Sequence, residues 1–397
     1  MRYPSTILIF LFSLVAFLQP VNAAVLPDER ADVMMHSYDG GNIEVSGPAV
    51  LVRKNIGSST SVFYNIYTDN ITSASIDVEI GGSPYEEERT EQTLGVDFLT
   101  GKTTMNFSYT DSTENDYEAS TISLGVSQDF FGDLSTLSMG FSTGEDFVSE
   151  RTGNNPLVFE ERSTIQRYNY RLGFSQILTK NSTISLGFET ITDEATSAPG
   201  STTTLNNPYR LYSYTDPSDP TRRLFAKELY PNTRTSNALS LRGNYFLPWK
   251  SAIHYEYRWF QDSWGVEANN IGVSYVHPIG HFVLDFRYRI YSQTQADFYD
   301  DLFDRVDQFT FMARDKELST YSNTSVGFGV SYEFAKNGWG WIDKGSLNFS
   351  YDLISFEYDN FRDATENVAV DGTDAAGTEP LYAFDAEVMS FFVSIWY

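Results

Sequence analysis

The chain has 397 residues, a formal net charge of −26, 16% aromatic residues and no cysteine. The missing cysteines exclude disulfides, thiolate metal centres and a lipid-modified N-terminal cysteine. The acidic balance argues against nucleic acid as a partner, because phosphate contacts need a basic surface.

Mean hydropathy is only −0.31, yet there are 26 Tyr, 30 Phe and 6 Trp. A transmembrane barrel combines these properties, since only alternate strand residues face lipid while aromatic girdles occupy both interfaces. A secreted sandwich or propeller is the competing all-β reading.

In chain order, Arg2, the apolar run Ile7 to Phe17 and the small-residue site Val21-Asn22-Ala23 read as an export signal over 1–23, with the mature chain expected to start at Ala24. The run is shorter than the roughly twenty residues a membrane-spanning helix needs. Residues 24–42 leave three roles open: a first strand, a periplasmic contact or a plug in the lumen. Asp32, His36, Ser37 and Tyr38 are the residues to test there. The leading expectation is that this segment closes the barrel against the last strand.

Residues 43–397 read as a transmembrane antiparallel up-and-down β-barrel. Alternating runs follow one another: Val62-Tyr64-Ile66, Leu94-Val96-Phe98, Met105-Phe107-Tyr109, Ile122-Leu124-Val126, Leu137-Met139-Phe141, Tyr168-Tyr170-Leu172-Phe174 and Ile184-Leu186-Phe188. The pattern resumes at Leu239-Leu241, Ile253-Tyr255-Tyr257-Trp259, Ile271-Val273-Tyr275, Phe282 to Ile290, Val326 to Tyr332 and Leu347 to Leu353. It ends on Met389-Phe391-Val393-Ile395-Tyr397, one apolar face of a strand with an aromatic terminus.

Fifteen such runs are found from Ile43 onward, whereas a barrel with both termini at one end needs an even number. Adding Asp32 to Tyr38 before the turn Asp39-Gly40-Gly41-Asn42 gives sixteen; dropping the Pro48-containing run gives fourteen. Short turns near 55–57, 100–102, 129–133, 179–181, 247–250 and 277–280 alternate with longer connections near 70–87, 143–163, 191–235, 295–320 and 359–381. Short periplasmic turns and long external loops would make the last strand run towards the periplasm.

The residues that alternate with the lipid-facing set line the lumen. Most are small, but Arg167, Arg171, Arg242, His254, Glu256, Arg258, Asp285, Arg287 and Arg289 form one charged wall, with Asp97, Glu333 and Asp352 expected opposite. Arginines facing carboxylates across water would orient and select small solutes. The plainer role is neighbouring ion pairs that pin strands together. The histidines show no metal-ligand spacing, so neither a metal nor a cofactor is expected. The turn-rich Asp216 to Pro220 is read as a solvated loop rather than a constriction, and Asp300 to Asp304 lacks the glycine and distal Glu of a calcium loop.

Arg30-Ala31-Asp32-Val33-Met34-Met35-His36-Ser37-Tyr38-Asp39-Gly40-Gly41, with Ser83-Pro84-Tyr85-Glu86-Glu87-Glu88-Arg89-Thr90-Glu91 and Asn115-Asp116-Tyr117-Glu118-Ala119, resembles an uncharacterised family of bacterial outer-membrane proteins. The resemblance implies a Gram-negative outer-membrane location and no established activity. Partners expected of such a protein are membrane lipid and lipopolysaccharide, the barrel-assembly machinery through the C-terminal strand, and a periplasmic protein. A small-solute channel or transporter is the first functional expectation. A filled-lumen barrel anchoring a partner is the second, and an outer-leaflet lipid-modifying enzyme a distant third, so catalysis is not expected.

Overall fold

The computed structural model describes residues 25–73, 85–151, 159–197, 205, 208–365 and 375–397; the expected export signal lies outside them. The first nine strands are β1 (Arg30–Gly40), β2 (Ile43–Ile56), β3 (Thr60–Ser73), β4 (Tyr85–Thr100), β5 (Thr103–Thr113), β6 (Tyr117–Phe130), β7 (Ser135–Arg151), β8 (Phe159–Thr179) and β9 (Ser182–Ser197). A hairpin, β10 (Leu211–Asp216) and β11 (Asp219–Lys227), interrupts the series. It resumes with β12 (Thr233–Phe246), β13 (Ala252–Asp262), β14 (Glu267–Ile279), β15 (Phe282–Gln293), β16 (Tyr321–Phe334), β17 (Lys344–Arg362) and β18 (Leu381–Trp396).

All but the hairpin form one closed antiparallel barrel in which each strand pairs with its sequence neighbours, β9 with β12 across the hairpin, and β1 with β18. The count is therefore sixteen, as expected with the N-terminal segment included. Arg30 stands opposite Trp396 and Gly40 opposite Ala386, so β1 pairs over its whole length. Gly41 and Asn42, with φ of 58° and 61°, make the two-residue turn into β2. Positive φ at both positions matches the right-handed twist of the flanking strands. Pro48 lies inside β2, facing outward, where its missing N–H leaves a gap in the pairing to β3 between Ser46 and Ala49.

The connections fall into two sets. At the end where β1 begins and β18 finishes they are short, apart from 335–343, which the alternation pattern did not reveal and where Trp339 and Trp341 are exposed. At the other end, among the described residues, lie 208–232, 294–320, 363–365 and 375–380.

Alternation decides the two faces. Leu94, Leu124, Met139, Tyr170, Leu186, Phe286, Val326 and Phe391 are all exposed on the outside. An apolar belt of this extent has no place in water, but suits a hydrocarbon layer.

Candidate functional site

Successive inward positions put the charged residues of the terminal half of the lumen onto a few rows. Arg242 Nε lies 2.9 Å from Glu256 Oε2, and Arg258 Nη2 lies 3.2 Å from Glu189 Oε2. Arg287 donates to Asp352 at 3.1 and 2.9 Å and also to Asp285. Higher up, Arg167 binds Asp193 at 2.6 Å. Side-chain exposure of 34% at Arg242 and 31% at Arg287 shows that these groups border a space wide enough for water.

The expected opposition of charges is corrected by this geometry. Asp352 sits two strands from Arg287 on the same wall and is bound to it. Glu333, at the rim, pairs with Lys336. Asp97 does stand across the barrel, but Arg53 engages it, with Asn106 donating to its other oxygen at 2.7 Å. His254 bonds to Asn244 near the terminal end, and Arg171 lies beside Gly140. Arg289 makes no hydrogen bond or ion pair, and its Nε is buried.

On the β1 to β5 wall, His36 Nε2 lies 2.8 Å from Asp69 Oδ1, and its ring stacks on Tyr67 at 4.5 Å. The pair bridges β1 and β3 above Gly47 of β2, which stands opposite His36. Asp69 is also 3.8 Å from Arg89, which binds Glu91 at 2.6 Å. Of the other N-terminal residues, Tyr38 joins the apolar core and Asp32 meets Arg30 at 3.0 Å. Ser37 lies on the opposite face of β1 from His36 and Tyr38, which separates it from them as a site residue. Sequence reading missed Arg53, Asp69 and Arg89, although period-2 alternation puts each on the inward face of its strand.

The loop end of the lumen is filled. Inward-facing Tyr38, Ile43, Val45, Ile71, Ile354, Phe356, Tyr358 and Phe361 form one buried apolar cluster with Tyr230, Trp264, Ala296, Tyr299, Ala313 and Leu318 from the connections. Hairpin residue Tyr212 is packed with Phe303 and Met312.

A buried polar latch joins three connections. Arg223 binds Asp301 at 2.6 Å and Glu379 at 2.6 and 2.7 Å. Arg314 binds Asp301 at 3.1 Å and the Arg362 carbonyl at 2.6 Å, with its guanidinium 4.3 Å from the Phe361 ring centre. Although burial raises the Glu379 carboxyl, hydrogen bonds from Arg223 and the backbone hold it below its usual range. Glu228, accepting from Arg314 N and Tyr230 Oη, is pushed above its usual range by burial and by Asp315.

The expectation of a solvated loop is therefore only partly met. Pro217 and Ser218 at the hairpin tip are exposed, but the Arg223 side chain beyond them is buried. Asp301 has its oxygens committed to arginines instead of a cation.

Among the described residues, one group of carboxylates is close enough to share a cation: Glu87, Glu114 and Asp116, with oxygens within 4.8 Å of one another. Burial and the Glu87 charge push Glu114 up to about 8, while Arg89 acts the other way. A protonated Glu114 accounts for the proximity of these groups without an ion. The cluster draws Glu87 and Asp116 from two separate segments that carry the family resemblance, and the Asn115 amide donates to Glu87 at 3.2 Å.

The fold is similar to that of a bacterial polysaccharide outer membrane secretin, at 8% identity and a TM-score of 0.47 over 94% of this chain and 100% of that one. It is also similar to a loop-deletion mutant of OmpT, an outer membrane protein of Vibrio cholerae, at 10% identity and a TM-score of 0.41, covering 93% and 98%. CdiB from Acinetobacter baumannii is similar at 8% identity and a TM-score of 0.46, covering 92% and 60%. No curated protein matches the sequence. The family described as "Protein of unknown function (DUF3570)" matches residues 44–342, beginning after the Arg30 to Gly41 motif, and the chain belongs to that family.

Proposed function

We propose that the protein is a bacterial outer-membrane barrel, with both termini at the periplasmic end, that passes a small solute through a lumen gated by its own external loops. It moves or holds its solute and does not transform it. The observation that carries this reading is the division of the lumen: a polar, water-accessible half at the terminal end stops against the apolar core and latch at the loop end.

The test is current across planar bilayers. The intact protein should conduct little, and replacing 298–313 by a short Gly-Ser linker should open a steady current. A linker variant that keeps its β circular dichroism but stays silent would overturn gating.

A second reading, a filled-lumen scaffold anchoring a partner, is favoured by the arginine-carboxylate pairs that tie strands to one another. It expects the linker variant to remain silent and less stable.

A further inference from the structure

Beneath the plug, three buried side-chain atoms on three adjacent strands have no partner: Asn270 Oδ1 on β14, Arg289 Nε on β15 and Asn323 Oδ1 on β16. Asn270 and Asn323 flank Tyr291 in one register row, and Arg289 lies in the next inward row, between Gly272 and Ser325. Neighbouring strands are about 4.8 Å apart, so the two amides stand about 10 Å from each other across Tyr291, with Arg289 one inward row away on the same strand as that tyrosine. Asn323 is only 7% exposed. The Tyr291 ring lies 5.6 Å from Tyr321, which packs at a tilt against Phe356 and Tyr358 in the base of the plug.

Buried polar atoms nearly always find partners, and a guanidinium with no carboxylate bound to it keeps its donors free for an anion. The nearby carboxylates are already engaged. Glu256, in the same row as Arg289 beyond Gly272, is held by Arg242; Asp352 is held by Arg287, as is Oδ2 of Asp285, whose Oδ1 lies unpartnered two inward rows from Arg289; Glu189 is held by Arg258. There is also room. A Cβ placed on Gly272 would meet nothing nearer than Glu256 Cβ at 4.0 Å.

We infer that Asn270, Arg289 and Asn323 form a binding site for a small carboxylate bearing a hydroxyl or amino substituent. The carboxylate takes the guanidinium donors, and the two amides, each a donor and an acceptor, take the substituent. One uncommitted guanidinium balances one negative charge, which favours a monocarboxylate over a phosphate dianion. The site deepens the transport reading by giving the solute its charge, and rests on that reading only for how the solute arrives and leaves.

The experiment is isothermal titration of the full-length barrel in detergent with glycolate, with inorganic phosphate and glycerol as alternatives. Glycolate should bind in preference to both. Arg289→Gln should weaken it at least about tenfold, as should Asn323→Leu. Arg289→Gln should melt at or above the wild-type temperature, because it removes an unpaired charge that no native contact uses. The site is overturned if glycolate does not bind, if phosphate binds as well, if Arg289→Gln binds like wild type, or if that variant melts lower. Glycolate binding with no current through the plug-deleted barrel would sink transport and leave the site standing; current without glycolate binding would do the reverse.

Discussion

Arg287 on β15 reaches Asp352 on β17 across an intervening strand, because the residue between them is Gly327. A Cβ at Gly327 would lie 1.9 Å from Asp352 Oδ1 and 2.9 Å from Arg287 Nε. His36 and Asp69 also bridge β1 and β3 above Gly47, although there a Cβ would meet the β3 backbone first, at 1.8 Å from the Thr68 carbonyl oxygen. In a barrel wall, a glycine on the middle strand thus lets ion pairs form between strands that are not hydrogen-bonded to each other.

Gly327→Ala should cost about 1–3 kcal/mol, because the new methyl displaces a packed ion pair. Gly272→Ala, where the space is open, should stay within about 0.5 kcal/mol of wild type. Urea midpoints in detergent compare the two, and equal midpoints would remove the bridging role given to Gly327.

Arg223→Ala leaves Glu379 without a cation, and Asp301 with Arg314 alone, in a site where the Arg223 and Glu379 side chains are 4% and 0% exposed. Removing one partner of a buried pair costs about 3–5 kcal/mol. The loss should fall on the loops before the barrel, seen as faster protease cleavage within 294–320 while β circular dichroism persists. Arg242→Ala, in a half-exposed pair, should cost about 1 kcal/mol or less.

Glu228 sets a pH dependence. Its folded carboxyl lies above the unfolded value of 4.5, first through burial and then through Asp315. The folded state therefore holds the proton that the unfolded state releases, and stability from this group is present below pH 4.5 and lost as pH rises through the folded value. Glu228→Gln should flatten that decline. Melting curves of both proteins from pH 4 upward would show it, and parallel slopes would count against it.

The outer belt should discriminate faces. Leu94, 56% exposed, and inward-facing Thr93, hydrogen-bonded to Thr110 at 2.9 Å, are adjacent on β4. Leu94→Arg should cost about 2–4 kcal/mol of folding stability in lipid vesicles. Thr93→Arg, turned towards the polar lumen, should cost less. Equal costs would argue that Leu94 does not face lipid.

Much of this architecture was legible in the residues. Alternation of the kind seen at Tyr168 to Phe174 marks a two-faced strand without reference to any partner, because side chains alternate with a fixed period of two. The run Met389 to Tyr397 shows the same signal, and its face was correctly assigned. The need for an even count pointed to Asp32 to Tyr38 as the missing strand, and β1 does lie there. Glycines such as Gly327 were visible as small inward residues, but that they let ion pairs bridge strands was not.

The sequence by itself determined that the chain forms a barrel, which residues face outward, and which charged side chains enter the lumen, since these follow from local periodicity and turn chemistry. Only the tertiary structure decided who meets whom. Arg53 takes Asp97, Arg287 takes Asp352, Arg223 takes both Asp301 and Glu379, the latter 156 residues further along the chain, and Arg289 is left alone. Such pairings depend on register across several strands and on loops folding back over the mouth. No local pattern encodes a contact between segments so far apart, because its free energy exists only once the barrel has closed.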